Sequence, residues 1–204
     1  DVGCGTGALL RQARAAGHQG RLCGLDPAAG MLAQARVRDD IDWVLGDLTA
    51  TRWDREFDLV VMSGNAFQVF TDDSMLRAAL GAIHAALKPA GRFAFETRNP
   101  LAREWESWSP AQATQVTTET GEVVRMARQV ERVEGDLISF SHTFTSPAWD
   151  AAETSRSTLR FLGVDRLAAA LDAAGLKIEE QYGDFAGGPL TEASLEIVTI
   201  AGRA

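Results

Sequence analysis

The sequence predicts an α/β protein built on a doubly wound, mostly parallel sheet with an antiparallel C-terminal strand and a small antiparallel β insertion. Three observations carry this expectation. The chain opens on Asp1-Val2-Gly3-Cys4-Gly5-Thr6-Gly7, a glycine-spaced turn that runs into an apolar-periodic segment. Strand-like and helix-like segments then alternate over the first hundred residues, the rhythm of strands joined by crossover helices. Phe57-Asp58-Leu59-Val60-Val61-Met62 is an apolar run of the kind a central parallel strand needs when both its faces are covered.

Each element follows from local pattern. Ala8-Leu9-Leu10 with Ala13 and Ala16, broken by Gly17, reads as a helix whose first amides face the glycine turn. Leu22-Cys23-Gly24-Leu25 is a short strand ending at Asp26-Pro27, and Met31, Leu32 and Ala35 recur at helical spacing. Ile41 to Leu45 is the next strand, closed by Gly46-Asp47. Asp72 or Asp73 can cap a helix carrying Leu76, Leu80, Ile83 and Leu87, with Lys88 in its last turn and Pro89-Ala90-Gly91 as its stop. Arg92 to Glu96 is a further strand.

The rhythm breaks after Pro100. Residues 101–114 hold Trp105 and Trp108 without clear periodicity. Residues 122–133 and 137–145 alternate across Glu134-Gly135-Asp136, a hairpin signal, with Ile138, Phe140, His142 and Phe144 sharing one strand face. Ser155 to Leu162 reads as a third strand. A helix from Val164 to Ala174 and strands at Leu176–Tyr182 and Leu195–Ile200 resume the first pattern. The expected organisation is one domain: residues 1–100 a cofactor-binding core, 101–154 a β-rich cover over an acceptor site, and 155–204 the completion of the core.

Composition narrows the partners. A net charge of −8 over 204 residues argues against broad contact with nucleic acid or anionic membrane. No apolar run nears the roughly 20 residues of a membrane span, and no signal peptide is visible, so a cytoplasmic protein is expected. Cys4 and Cys23 are the only cysteines, and a disulfide framework is not expected. No metal site is expected. The oligomeric state is not legible. A ligand loop at residue 1 suggests that a preceding segment is missing.

The glycine turn fits two ligands. Gly3, Gly5 and Ala8 satisfy a dinucleotide fingerprint, and Asp26 lies about 20 residues on, where a ribose-binding acid belongs. S-adenosylmethionine needs the same carboxylate. Three features favour it. Asp1 could meet the cationic amino group of a bound amino acid, whereas it would repel a pyrophosphate. Asp47 could accept from an adenine amino group. Residues for hydride transfer are scarce, since Tyr182 is the only tyrosine and has no lysine four residues on.

These residues resemble a known family. Asp1 to Gly7 is similar to motif I of class I S-adenosylmethionine-dependent methyltransferases. Asp26-Pro27 with Met31-Leu32 resembles their second motif, Gly46-Asp47-Leu48 their third, and Val60 to Asn65 their strand-four motif. Leu87 to Phe93 resembles the turn before strand five, and Leu171 to Gly175 with the last two strands resembles their C-terminal hairpin. The resemblance covers roughly residues 1–100 and 155–204. It implies a Rossmann-like fold, S-adenosylmethionine as cofactor, and a set of roles. Asp1, Gly3, Cys4, Gly5, Thr6 and Gly7 would surround the methionine moiety. Asp26 and Pro27 would meet the ribose and Met31 the adenine. Gly46, Asp47 and Leu48 would hold the adenine edge, and Ser63 and Asn65 would line the site near the sulfonium. In related enzymes a helix ahead of the glycine loop often helps cover the cofactor.

The acceptor is less legible. The Asn/Asp-Pro-Pro-aromatic run of base-amino methyltransferases is absent after strand four, and neither cysteine suits a cytosine-C5 nucleophile. A small-molecule acceptor under the β cover remains. Its candidate contacts are Asn65, then Glu96, Thr97, Arg98 and Asn99 at a strand's C-terminal end, where open sheets bind ligands. Arg98 could pair with an acceptor carboxylate or phosphate. His142 is the most base-like side chain, although a structural histidine at a hairpin is the commoner case. Phe67, Gln68 and Phe70 fit either an acceptor pocket or the core. Two other functions stay open: a non-catalytic S-adenosylmethionine-binding module, and an NAD(P)-dependent oxidoreductase.

Overall fold

The computed structural model describes residues 1–118 and 120–204. Its elements run α1 (Ala8–Ala15), β1 (Cys23–Asp26), α2 (Ala29–Ala35), β2 (Asp42–Leu45), β3 (Phe57–Met62), α3 (Asp73–Ala86) and β4 (Leu87–Arg98). Three short 3-10 turns lead into β5 (Thr114–Thr117), β6 (Val123–Glu134), β7 (Leu137–Thr145) and β8 (Glu153–Arg160). The chain then closes with α4 (Val164–Ala173), β9 (Leu176–Tyr182) and β10 (Glu196–Arg203).

The main sheet is assembled across a seam. β1 and β2 pair in parallel, and β3, β4, β10 and β9 lie side by side, with β3–β4 parallel and both pairs of β10 antiparallel. Residues 1–3 join the two groups. Val2 donates to Val61 O at 2.8 Å on one side, while Leu25 donates to Asp1 O at 2.9 Å and Gly3 to Leu25 O at 2.8 Å on the other. The order across the sheet is therefore β2, β1, residues 1–3, β3, β4, β10, β9. Along β1 the two faces separate. Leu25 joins the large core of α3 and α4, whereas a Cβ on Gly24 would meet Trp43 and Cys4, which cluster with α2.

α3 differs from its expected end. Asp72 caps it by accepting from Ser74 N and Met75 N, and Leu76, Leu80 and Ile83 face the core. The helix stops at Ala86, and Lys88 belongs to β4 rather than to a last helical turn. Pro89 disfavours helical geometry at Lys88. β3 pairs Phe57 with Leu87 and then Leu59 with Arg92, so residues 88–91 bulge out of the ladder. Gly91 is needed there because a Cβ would sit 2.8 Å from Phe57 O.

The insertion is a four-stranded antiparallel sheet in the order β5-β6-β7-β8. β5 has no counterpart in the sequence reading, and β8 starts two residues earlier than expected. β6 and β7 meet through Gly135-Asp136, with Gly135 at φ 61°. Ile138 and Phe140 pack with Trp108 and Phe161 into a core of their own. The hairpin turn is tied to the main body through Asp136, which accepts from Arg160 Nε at 2.9 Å and from Arg166 Nη1 at 2.6 Å. Arg160, 6% exposed, also pairs with Asp73 at 2.7 Å. Among the described residues, no helix is long and apolar enough to cross a membrane.

Candidate active site

The glycine turn wraps the C-terminal end of β1. Asp26, 7% exposed, accepts from Gly5 N through Oδ2 and from Ala28 N through Oδ1, each at 2.8 Å. One carboxylate thus fixes both the glycine loop and the start of α2, and each oxygen keeps a lone pair. Two glycines are required by space as well as by conformation. At Gly3, φ 71°, a Cβ would fall 2.8 Å from Ala66 Cβ. At Gly7, φ 75°, it would overlap the Trp43 ring. Trp43 itself donates to Arg38 O at 2.9 Å. Cys4 is buried beneath the loop, and burial, with the Asp26 carboxylate beside it, pushes its thiol up to about 11. It is a packing residue with little thiolate at neutral pH.

A cavity of about 510 Å³ opens beside this turn. Gly3, Asp26, Pro27, Gly46, Asp47 and Leu48 line it, all of them among the expected cofactor residues. Its other wall runs from the end of β3 to α3: Phe70, one of the pocket-or-core candidates, with Met62, Ala66, Val69, Met75 and Ala79, which the sequence does not mark as pocket residues. Apolar residues on an amphipathic helix signal core, so sequence gave no reason to assign them to a pocket. Asp47 is exposed at the rim. Its Oδ1 is taken up by Thr49 N at 2.7 Å, Thr49 Oγ1 at 2.6 Å and Ala50 N at 3.1 Å, and these bonds hold the carboxyl below its ordinary range. Oδ2 is left for a ligand. Of the other expected cofactor residues, Asp1, Cys4, Gly5, Thr6, Gly7, Met31, Ser63 and Asn65 do not border the cavity.

S-adenosylmethionine fits this set of residues on two counts. The cavity is the size of a small-molecule site and mostly apolar, with acids at its edge. The Gly3–Ala66 approach leaves backbone rather than side chain facing the ligand. Asp1, expected at the cationic amino group, lines two other pockets and not this cavity, although its Oδ1 is buried without a partner. Among the described residues, no three His, Cys, Asp or Glu side chains gather as a metal-holding group.

The acceptor candidates gather where the insertion meets the ends of β4 and β10. Glu96, 4% exposed, accepts from Asn65 N at 2.6 Å, and Asn65 stands in the left-handed region at φ 64° with its Oδ1 buried and unpartnered. Arg98 Nε pairs with Glu104 at 2.8 Å, and its guanidinium lies 5.1 Å from the Trp108 ring centroid. Gln68, 1% exposed, donates to Arg160 O at 3.1 Å and accepts from Arg98 N at 3.3 Å. It links the strand end to the cover. Asn99 is spent on structure, its amide reaching Thr191, Glu192 and Ser194 carbonyls. Thr97 is fully buried. Phe67 stacks on Phe95 at 4.3 Å in the core.

His142 accepts from Arg128 Nε through Nε2 at 2.9 Å. Burial, with Arg128 and Arg98 adding to it, lowers its pKa. The imidazole is therefore neutral, with Nε2 occupied. The sequence reading missed Glu196. It pairs in register with Arg98, two positions along from the Val198–Glu96 pair, so Glu96, Arg98 and Glu196 share a sheet face. Its Oε2 is buried without a partner. Burial pushes its carboxyl up, Arg98 opposing and Glu96 and Glu104 reinforcing. A lone glutamate at a strand start carries no signal in sequence; only strand pairing brings it to Glu96.

Fold and cradle together define a protein that binds an adenosyl ligand at the C-terminal edge of a parallel sheet. Comparison with known proteins narrows the class. Residues 1–91 match the family model of the methyltransferase domain. The chain is 27% identical to the cypemycin N-terminal methyltransferase of a Streptomyces species, over all of this chain and 82% of that protein. An S-adenosylmethionine-dependent methyltransferase from Clostridium acetobutylicum superposes with a TM-score of 0.81 at 16% identity, covering 99% of this chain and 82% of the other. An amino pentose methyltransferase from Micromonospora echinaspora, solved with S-adenosylmethionine bound, gives a TM-score of 0.73 at 25% identity, over 100% of this chain and 82% of that one. Residues 1–91 thus match a methyltransferase domain, and the chain as a whole is similar to S-adenosylmethionine-dependent methyltransferases in sequence and fold.

Proposed function

We propose that this enzyme methylates an amine nitrogen of a small molecule held between the cofactor cavity and the β insertion. The observation that carries the proposal is the carboxylate pair Glu96 and Glu196 on one sheet face, with Glu196 raised by burial and one of its oxygens unpartnered. Two similar proteins act on nitrogen-bearing acceptors by name: an N-terminal methyltransferase and an amino pentose methyltransferase.

When bound, S-adenosylmethionine supplies an electrophilic methyl group, so the acceptor must present a free lone pair in line with it. An amine at neutral pH is protonated and has none. Glu96 and Glu196 attract the ammonium, and Glu196, with its raised pKa, is suited to take its proton. Asn65 N–H fixes the Glu96 carboxylate, and the insertion excludes water. On the cofactor side, Asp26 takes the ribose hydroxyls and the free oxygen of Asp47 the adenine amino group.

Calorimetry with S-adenosylhomocysteine tests the cofactor half. Binding is expected, and Asp26→Ala should weaken it by at least roughly tenfold, the loss of one good charge-assisted bond. Binding of NAD in place of S-adenosylhomocysteine would overturn the reading. A screen of primary and secondary amines for methyl gain tests the acceptor half. Cofactor binding without transfer to any amine would return the non-catalytic alternative.

A further inference from the structure

We infer that Arg128 and Arg98 form an anion-binding subsite over Trp108, which takes a carboxylate or phosphate group carried by the methyl acceptor. That the acceptor carries this anion rests on the methyltransferase reading; the subsite itself does not.

Arg128 sits mid-strand in β6, paired in register with His142. Its guanidinium carbon is 4.5 Å from the Trp108 ring centroid, and that of Arg98 is 5.1 Å from the same ring. The indole holds both groups in place without neutralising either. Arg98 has Glu104 as its carboxylate, and the buried Arg160 has Asp136 and Asp73. Arg128 has no carboxylate within 4.0 Å among the described residues. Its Nε donates to a neutral imidazole, which adds no negative charge. A guanidinium cannot shed its proton, so a half-buried one beside another arginine carries a standing electrostatic cost. Burial and Arg98 both disfavour its charge, Glu104 opposing.

The remaining N–H groups are the binding surface. Neither Nη of Arg128 makes a hydrogen bond among the described residues, and Arg98 Nη2 is likewise uncommitted. A cavity of about 200 Å³ opens on Arg128, edged by Ser107, Ser109, Gln112 and Thr114. Its one acid, Glu104, is already engaged by Arg98. Paired N–H groups in a plane match the two oxygens of a carboxylate or phosphate. With Glu96 and Glu196 beyond Arg98, the acceptor becomes a molecule bearing both an amine and an anion.

The test is a titration of the ¹⁵N-labelled chain with inorganic phosphate and, separately, sodium acetate, at ionic strength held constant with chloride. The Arg128 Nε–H resonance, assigned by its loss in Arg128→Lys, should shift saturably. The His142 ring should gain its proton at higher pH, because a bound anion offsets the neighbouring guanidinium. Arg128→Met should raise the half-saturating concentration by roughly tenfold or more, and Arg128→Lys by less, since it keeps the charge and loses the fork. Tighter phosphate than acetate assigns a phosphoryl group to the acceptor; the reverse assigns a carboxylate. Shifts no larger than those with chloride, or wild-type half-saturation in both Arg128 variants, overturn the subsite. S-adenosylhomocysteine binding is measured on the same samples, so a fault in the methyltransferase reading shows as its loss with the anion response intact.

Discussion

Gly7 carries a constraint that the glycine pattern only half reveals. Alternating glycines announce positive φ, but not that Gly7 leaves room for the Trp43 ring, 36 residues away on the neighbouring β2. Gly7→Ala is expected to cost about 2–4 kcal/mol, combining left-handed strain with overpacking. Trp43→Leu should relieve the overpacking part, so the double variant should be less destabilised than the two single losses added together. Urea unfolding of all four proteins measures this, and strict additivity would show that the ring is not the constraint. Glu196 gives a second prediction at this scale. Its folded-state pKa is raised, so the folded protein binds more protons than the unfolded chain and this residue's contribution falls as pH rises through its titration. Glu196→Gln should therefore be more stable than the parent at pH 7 and lose that advantage below the ordinary glutamate pKa of about 4.3. The same change should slow transfer to an amine. A variant no more stable at pH 7 would mean that the carboxylate is not penalised in the fold.

At the scale of elements, legibility followed the length and strength of the pattern. α3 and the β6–β7 hairpin stand close to where periodicity and Gly135 put them, because each buries a regular stripe. β5, Thr-Gln-Val-Thr, is exposed at every position and exists only because β6 offers it an edge, which no local signal can show. Nor does sequence show what fastens the insertion to the main body. That fastening is Arg160, buried between Asp136 of the hairpin turn and Asp73 of α3, with Gln68 bonded to its carbonyl. Asp136→Ala leaves Arg160 only Asp73, which is largely exposed, and leaves Arg166 only a 3.7 Å contact with the same Asp73. A loss of about 2–4 kcal/mol is expected, below the range for a fully buried pair because one partner meets solvent. If the insertion is fastened this way, protease sensitivity in residues 113–160 should rise before the α/β core yields. A loss under about 0.5 kcal/mol, the level of an ordinary surface change, would place the fastening elsewhere.

For the whole molecule, the seam at residues 1–3 gives cofactor binding a structural consequence. The cavity draws Asp26, Gly46 and Asp47 from the β1–β2 side and Met62, Ala66 and Met75 from the β3–α3 side. The backbone joining those sides includes Val2 N to Val61 O, Leu25 N to Asp1 O and Gly3 N to Leu25 O. A ligand touching both walls can be reached only when the seam is closed, so binding must oppose its opening. At one hundred times its dissociation constant, S-adenosylhomocysteine should add about 2.7 kcal/mol of stability. In hydrogen exchange, the amides of Val2, Gly3 and Leu25 should slow together, by up to roughly a hundredfold if they exchange through opening of the seam. Asp26→Ala should cut that protection to roughly tenfold or less at the same ligand concentration while leaving the β6–β7 amides as they were. Protection limited to the β1–β2 side, with Val2 exchanging at its unliganded rate, would mean that the ligand rests on one wall. The seam would then be a feature of folding alone.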